Sequence, residues 1–271
     1  MKDFQIIKDR LMKKYMMMAV LIMTAVSALA QSKAEPYFSY KELPNMLKWC
    51  PAPPDTVGAA FAYDIMQYMW GKQMRQNKER AEIAIRDAVY SLECIMQEFS
   101  EPFGLKMSEE DTPEIYKLLR DAKVTCENIS NFPKFYYKRI RPFMRFHEHT
   151  LTPQFEPELR RNFSYPSGHT ILGWCSALLL SEINPECADT ILTRGMMYGE
   201  SRVIVGAHWQ SDVDAGRLAA AAVYARMHTS ERFMEQMQLA RQEFRIKAGL
   251  ATIAEMKAYR KAAEKKAKAK K

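Results

Sequence analysis

No two cysteines in this chain are spaced as CxxC, and no histidine stands at zinc-ligand spacing from one, which argues against a structural metal site. The five thiols, Cys50, Cys94, Cys126, Cys175 and Cys187, are odd in number. At least one therefore stays free within a single chain, and burial as small apolar residues is the expectation for most. Alternating strand patterns bounded by Asn-Gly or Asp-Gly turns are also missing, as are internal repeats. Beyond residue 30 the longest uncharged apolar stretch runs from Thr170 to Leu180, too short to cross a bilayer.

A uniformly basic body is lacking too, although the formal charge is +8. Residues 1–30 carry +3 and residues 257–271 carry +7, so the body between them is net −2. The excess sits at the two ends, and the charge does not argue for a nucleic-acid partner. The Lys/Ala-rich tail, residues 250–271, reads as a solvated basic extension.

What is present begins with a leader-like pattern. Lys8, Arg10, Lys13 and Lys14 form a basic segment, Tyr15 to Val26 an apolar run, and Ala28-Leu29-Ala30 a small-residue cleavage site. Residues 1–30 are therefore expected to be a signal peptide, with Gln31 opening the mature chain and Met12 offering a second start. A periplasmic destination and no stable membrane insertion after cleavage follow from that reading.

The mature chain, one domain over 31–249, reads as all-α. Five prolines over residues 31–55 keep that stretch irregular. Phe61, Ile65, Tyr68 and Met69 then recur at helical spacing, as do Ile83, Ala84, Val89, Leu92, Ile95 and Met96. Thr112-Pro113 supplies a cap and a first helical residue, and Pro133 is expected to interrupt the helix that follows. Further helices are predicted at 167–180, 188–204, 211–227 and 231–247. The outcome is a compact helical bundle with loops at one end.

Three clusters carry chemistry. Lys134 and Arg141 are seven apart, so on a helix they would share a face and present two cations to a multiply charged anion. Alone, the run with Lys138, Arg139 and Arg145 reads more readily as a solvated basic face. Tyr165-Pro166-Ser167-Gly168-His169 precedes an apolar helix, whose N-terminus binds anions. There Gly168 admits an oxyanion to the backbone, Ser167 adds a hydroxyl, and His169 projects toward the ligand; a plain N-cap explains the same residues. In the third cluster Arg202 adds another cation, and His208 and Asp212, four apart, would meet if helical. The carboxylate would then take the Nδ1 proton and leave Nε2 as a lone-pair donor, although a structural hydrogen bond explains such a pair as well. Together the clusters supply cations, an anion-binding helix start, two histidines and an orienting carboxylate, which is the inventory of phosphoryl transfer.

Lys134-x6-Arg141-Pro142, Pro166-Ser167-Gly168-His169 and Ser201-Arg202-x5-His208-x3-Asp212 resemble the three-part signature of the PAP2 superfamily. The surrounding stretches from about Tyr37 to Phe244 resemble its bacterial class A non-specific acid phosphatases. The resemblance implies a helical bundle of the PAP2/vanadium haloperoxidase type and a metal-independent phosphoric monoester hydrolase with no cofactor. It implies that Lys134, Arg141, Ser167, Gly168 and Arg202 bind phosphate. His208 would attack phosphorus, Asp212 would orient it, and His169 would protonate the leaving group. Small phosphate monoesters are the expected substrates, vanadate and other phosphate analogues the expected inhibitors, and transfer of the phosphoryl group to other alcohols a further outcome. A homo-oligomer stays open. The rival readings are a vanadium-dependent haloperoxidase or a lipid phosphate phosphatase using the same residues and, more distantly, a non-catalytic phosphate-binding protein. His147 and His149 read as loop residues, not metal ligands, and His228 as a partner of a helix C-terminus.

Overall fold

The computed structural model describes residues 33–252 together with 254, 255, 257, 258 and 261. The expected signal segment and most of the tail lie outside them. Chain contacts divide the molecule into Met1–Glu35 and Pro36–Lys271, and the description below concerns the second unit.

From residue 33 to 252 there are eleven α-helices, and none of the described residues lies in a strand, as the hydrophobic periodicity predicts. They are α1 (Met46–Trp49), α2 (Ala59–Met74), α3 (Lys78–Arg86), α4 (Leu92–Phe103), α5 (Pro113–Tyr137), α6 (Pro142–Arg145), α7 (Glu156–Leu159), α8 (Gly168–Ile183), α9 (Ala188–Ile204), α10 (Gln210–Met227) and α11 (Glu231–Lys247). The apolar helix α8 is the axis of the bundle and packs against α9, α10, α5, α4 and α11. Ile171, Leu172, Cys175, Ala177, Leu179 and Leu180 bury almost all round it, as expected of a helix with no polar face. Each large aliphatic side chain buried there contributes roughly 1.5–3 kcal/mol.

Three local expectations are corrected. The apolar run from Ile83 to Met96 is not one helix: α3 ends at Arg86, and α4 starts after Ser91, whose hydroxyl accepts the Cys94 N–H at 3.0 Å. Pro133 does not interrupt α5, which continues to Tyr137. Its ring is buried on the core side, so packing outweighs the lost N–H. Thr112 is the N-cap residue of α5 and Pro113 its first helical residue, as expected, but the Thr112 side chain makes no capping hydrogen bond; the Glu243 carboxylate of α11 accepts the Glu114 and Ile115 N–H groups instead, the latter at 2.9 Å.

All five cysteines are free, with Cys50, Cys126 and Cys175 buried. Among the described residues no group of three or more His, Cys, Asp or Glu side chains is placed to hold a metal ion. His149 is tied to Glu156 at 3.3 Å, and Glu148 to Lys72 and Tyr68, both at 2.6 Å. His228 stands at the C-cap of α10, its Nδ1 2.8 Å from the Tyr224 carbonyl, as its position predicts. No described helix is long and apolar enough to cross a membrane.

Candidate active site

The ends of α5, α8 and α9 and the start of α10 meet at one cleft of about 540 Å³. Lys134, Arg141, Gly168, His169, Arg202 and His208 all line it. Asp212 lies behind His208, and Ser167 is fully buried as the N-cap of α8.

The route by which the first cluster converges differs from the expected shared helix face. α5 stops at Tyr137, and Lys138 takes a left-handed conformation with φ 47°. Arg141 precedes a proline, which disfavours helical geometry, and its backbone is extended. Lys134 therefore reaches the cleft from a helix and Arg141 from the loop after it. That loop is fastened to the other two clusters: the Arg139 carbonyl accepts the Ser164 N–H at 2.9 Å, and the Ile140 carbonyl accepts the Trp209 ring N–H at 2.8 Å.

The cations are buried and carry few compensating charges. Lys134 donates to the Phe163 and Pro166 carbonyls at 2.9 and 2.6 Å, and burial, reinforced by Arg141, pushes its ammonium down to about 7. Arg141 donates to the carbonyls of Leu159, Asn162, Phe163 and Ala207, and burial lowers it to about 9. Arg202 is 1% exposed, its Nε and Nη1 have no hydrogen-bond partner among the described residues, and burial lowers it to about 10. Cations held in this way are destabilised until an anion arrives.

His208 does not sit on a helix with Asp212. It precedes the Trp209 cap, and Asp212 is the third residue of α10. The carboxylate accepts the Trp209 N–H at 2.9 Å, an N-terminal capping contact, and that brings Oδ2 to 3.4 Å from His208 Nδ1. The Ser164 hydroxyl also donates to this oxygen. On the opposite side of the ring, Nε2 is 2.9 Å from Arg141 Nη1, so Nε2 is the acceptor and Nδ1 carries the proton. Burial, followed by Arg141, Lys134 and Arg202, holds His208 well below the usual imidazole range, leaving it neutral. Gly206, with φ 86°, makes the turn from α9 that delivers this residue, and a Cβ there would lie 2.6 Å from Arg75 Nη2.

His169 occupies the first turn of α8, with Nε2 3.1 Å from the Ala88 carbonyl and its ring 4.7 Å from that of Tyr90. Burial, then Arg202 and His208, pushes its pKa well below the usual value. Ala88, Val89 and Tyr90 thus form a wall of the site that the helical spacing of the surrounding residues concealed. The signals that would have found it are the polar pair Asp87 and Ser91, one closing α3 and the other capping α4.

Ser167 receives the Thr170 hydroxyl at 2.9 Å and the Thr170 N–H at 3.3 Å, keeping its own proton for another acceptor. A Cβ built on Gly168 would meet nothing within 4 Å, so the space above that glycine is open cleft at a helix N-terminus. Gly168→Ala is therefore expected to leave thermal stability within about 1 kcal/mol and to weaken inorganic phosphate binding about tenfold or more. Calorimetry of the folded variant with phosphate checks this, and undiminished affinity would remove Gly168 from the anion site.

The PAP2 superfamily model matches residues 122–233, which carry all three clusters. The chain is 42% identical over 209 residues to a non-specific acid phosphatase of Providencia stuartii, covering 77% of this chain and 84% of that protein. It is 40% identical over 217 residues to the non-specific acid phosphatase of Salmonella typhimurium, covering 80% and 86%. An acid phosphatase of Zymomonas mobilis is 32% identical over 211 residues, covering 78% and 80%. With its helical bundle and all signature residues gathered at one end, the chain belongs to the PAP2 superfamily, beside the bacterial non-specific acid phosphatases.

Proposed function

We propose that this chain, by its family a phosphoric monoester hydrolase, hydrolyses small phosphate monoesters through a phosphohistidine on His208. The observation that carries this reading is the buried, partly unpartnered cation set of Lys134, Arg141 and Arg202 facing a neutral imidazole across one cleft. The cations, the Ser167 hydroxyl and the Gly168 N–H bind the phosphoryl oxygens, and phosphate takes over the Arg141 contact with Nε2. The Nε2 lone pair then attacks phosphorus in line, forming the P–N bond as the P–O ester bond breaks. The bound phosphoryl group offsets the cations that lower the His169 pKa in the free protein, and the ring, protonated in that complex, gives its proton to the departing oxygen. It then takes one from the water that attacks the phosphohistidine, and cleavage of the P–N bond restores neutral His208. Asp212 stabilises the positive ring between the two steps. The fixed cations supply the charge neutralisation that a metal gives in other phosphoryl transferases, so the reaction is expected to persist in EDTA.

An alcohol in place of water would yield phosphotransfer, and vanadate would occupy the same site as an inhibitor. The signal peptide over 1–30 and a periplasmic location rest on the sequence pattern, and the domain 31–249 with a basic tail over 250–271 on composition and the reach of the resemblance.

The test is steady-state hydrolysis of p-nitrophenyl phosphate and several alkyl phosphates with EDTA present, from pH 4 to 9. Lys134 has a lowered pKa of about 7 in the free enzyme, so its charge is present below that pH and lost above it. KM should rise above neutrality, by up to about tenfold per pH unit, and Lys134→Gln should show a high KM that is flat across that range. Phosphate binding without turnover would overturn the enzymatic reading. A KM in Lys134→Gln that still climbs above neutrality would remove Lys134 as the titrating group.

A further inference from the structure

Behind His208 the signature residue Asp212 continues into a chain of buried charge, Arg139 and Asp64, that the signature does not include. Asp212 uses Oδ2 for Trp209, Ser164 and His208, while its other oxygen, Oδ1, accepts from Arg139 Nη1 at 2.5 Å. The second arm of the guanidinium, Nη2, donates to Asp64 Oδ2 at 2.6 Å. Asp64, from the middle of α2, is itself held by the Ser211 N–H at 2.8 Å and the Ser211 hydroxyl at 2.6 Å. Both carboxylates are wholly buried and Arg139 is 9% exposed. The guanidinium also lies over the Trp209 ring at 5.6 Å.

We infer that Arg139, anchored by Asp64, is a positioning residue that fixes the Asp212 carboxylate and through it the attacking face of His208; this rests on the phosphatase reading above. Each arm of the guanidinium engages one carboxylate, which sets Asp212 in a single orientation with Oδ2 toward Nδ1. Without Arg139, Asp212 would be a buried carboxylate with no cation against Oδ1, its orientation left to the Trp209 N–H and the Ser164 hydroxyl at Oδ2 alone. The alternation also balances charge at the right moment. With His208 neutral, Asp212, Arg139 and Asp64 sum to −1; when phosphorylation makes the ring positive, the chain becomes neutral. None of these residues lines the cleft, so the effect should fall on turnover and not on phosphate affinity.

The experiment compares wild type with Arg139→Gln, Arg139→Lys and Asp64→Asn. The measurements are kcat on p-nitrophenyl phosphate, inhibition by inorganic phosphate, and the ¹⁵N spectrum of the histidine imidazoles. Groups that orient a metal-bound histidine through a carboxylate typically carry a 10- to 100-fold effect, and the same order is expected for Arg139. Arg139→Gln should lose roughly that much kcat, with the phosphate Ki within about threefold and the His208 Nδ1 resonance shifted from its wild-type position as the Asp212 contact loosens. Arg139→Lys should recover part of the loss. Asp64→Asn should show a smaller drop in the same sense. A wild type without turnover would sink the parent reading. A competent wild type with Arg139→Gln of unchanged kcat, or with kcat and phosphate affinity falling together, overturns the positioning role. If Arg139→Gln does not fold, Asp64→Asn and Arg139→Lys decide: normal kcat in both overturns it, and reduced kcat with unchanged Ki supports it.

Discussion

His208→Ala is expected to lower turnover by about four orders of magnitude or more and to leave no acid-labile phosphoenzyme after a quench with labelled substrate. The size follows from geometry. His208 Nε2 is placed against the Arg141 guanidinium, and the proton on Nδ1 is committed to the Asp212 side. In the proposed mechanism the other site residues handle charge and protons, and none would replace the bond to phosphorus. The variant removes a 2% exposed ring whose neutral state is enforced by burial and three cations. Phosphate binding should survive, because Lys134, Arg141, Arg202 and the Gly168 N–H remain. Near-normal turnover in His208→Ala, or a labelled phosphoenzyme in it, would transfer the nucleophile to another residue and dismantle the assigned roles.

How much of this was legible before the structure depends on how local each feature is. The spans 188–204 and 231–247 match α9 and α11 at both ends; for α11 the cap lies beside the periodic residues, with Ser230 accepting the Phe233 N–H. The residues of the cleft were legible as types, since Lys134, Arg141, Gly168, His169, Arg202 and His208 do meet. Their paths were not. A shared helix face for Lys134 and Arg141 assumed regular geometry, and the left-handed Lys138 and pre-proline Arg141 replace it with a loop. A helical His208–Asp212 pair assumed the same, and a capping contact brings the two together instead. The Asp64–Arg139 pair had no sequence signal: its members lie 75 residues apart, and Arg139 looked like one more charge in a basic run. Such pairs are fixed by tertiary packing, which neither spacing nor periodicity encodes.

Arg202→Met should move activity and stability in opposite directions, which separates a functional charge from a structural one. In the free protein Arg202 is a fully buried guanidinium whose Nε and Nη1 donate to nothing described, and burial has already lowered its pKa to about 10. An unpaired buried charge costs stability, and an apolar side chain of similar length relieves that cost. The ligand-free variant should therefore melt at or above the wild-type temperature. The phosphoryl group develops charge on oxygens that Arg202 would hold, and removal of one such donor typically costs about 10²–10³ in kcat. Turnover should fall by about that factor, and the rise in melting temperature on adding inorganic phosphate should shrink, because stabilisation by a ligand tracks its affinity. A variant that melts well below wild type and binds phosphate normally would make Arg202 a structural residue. A more stable, weakly binding and slow variant is what a site strained in waiting for its anion produces.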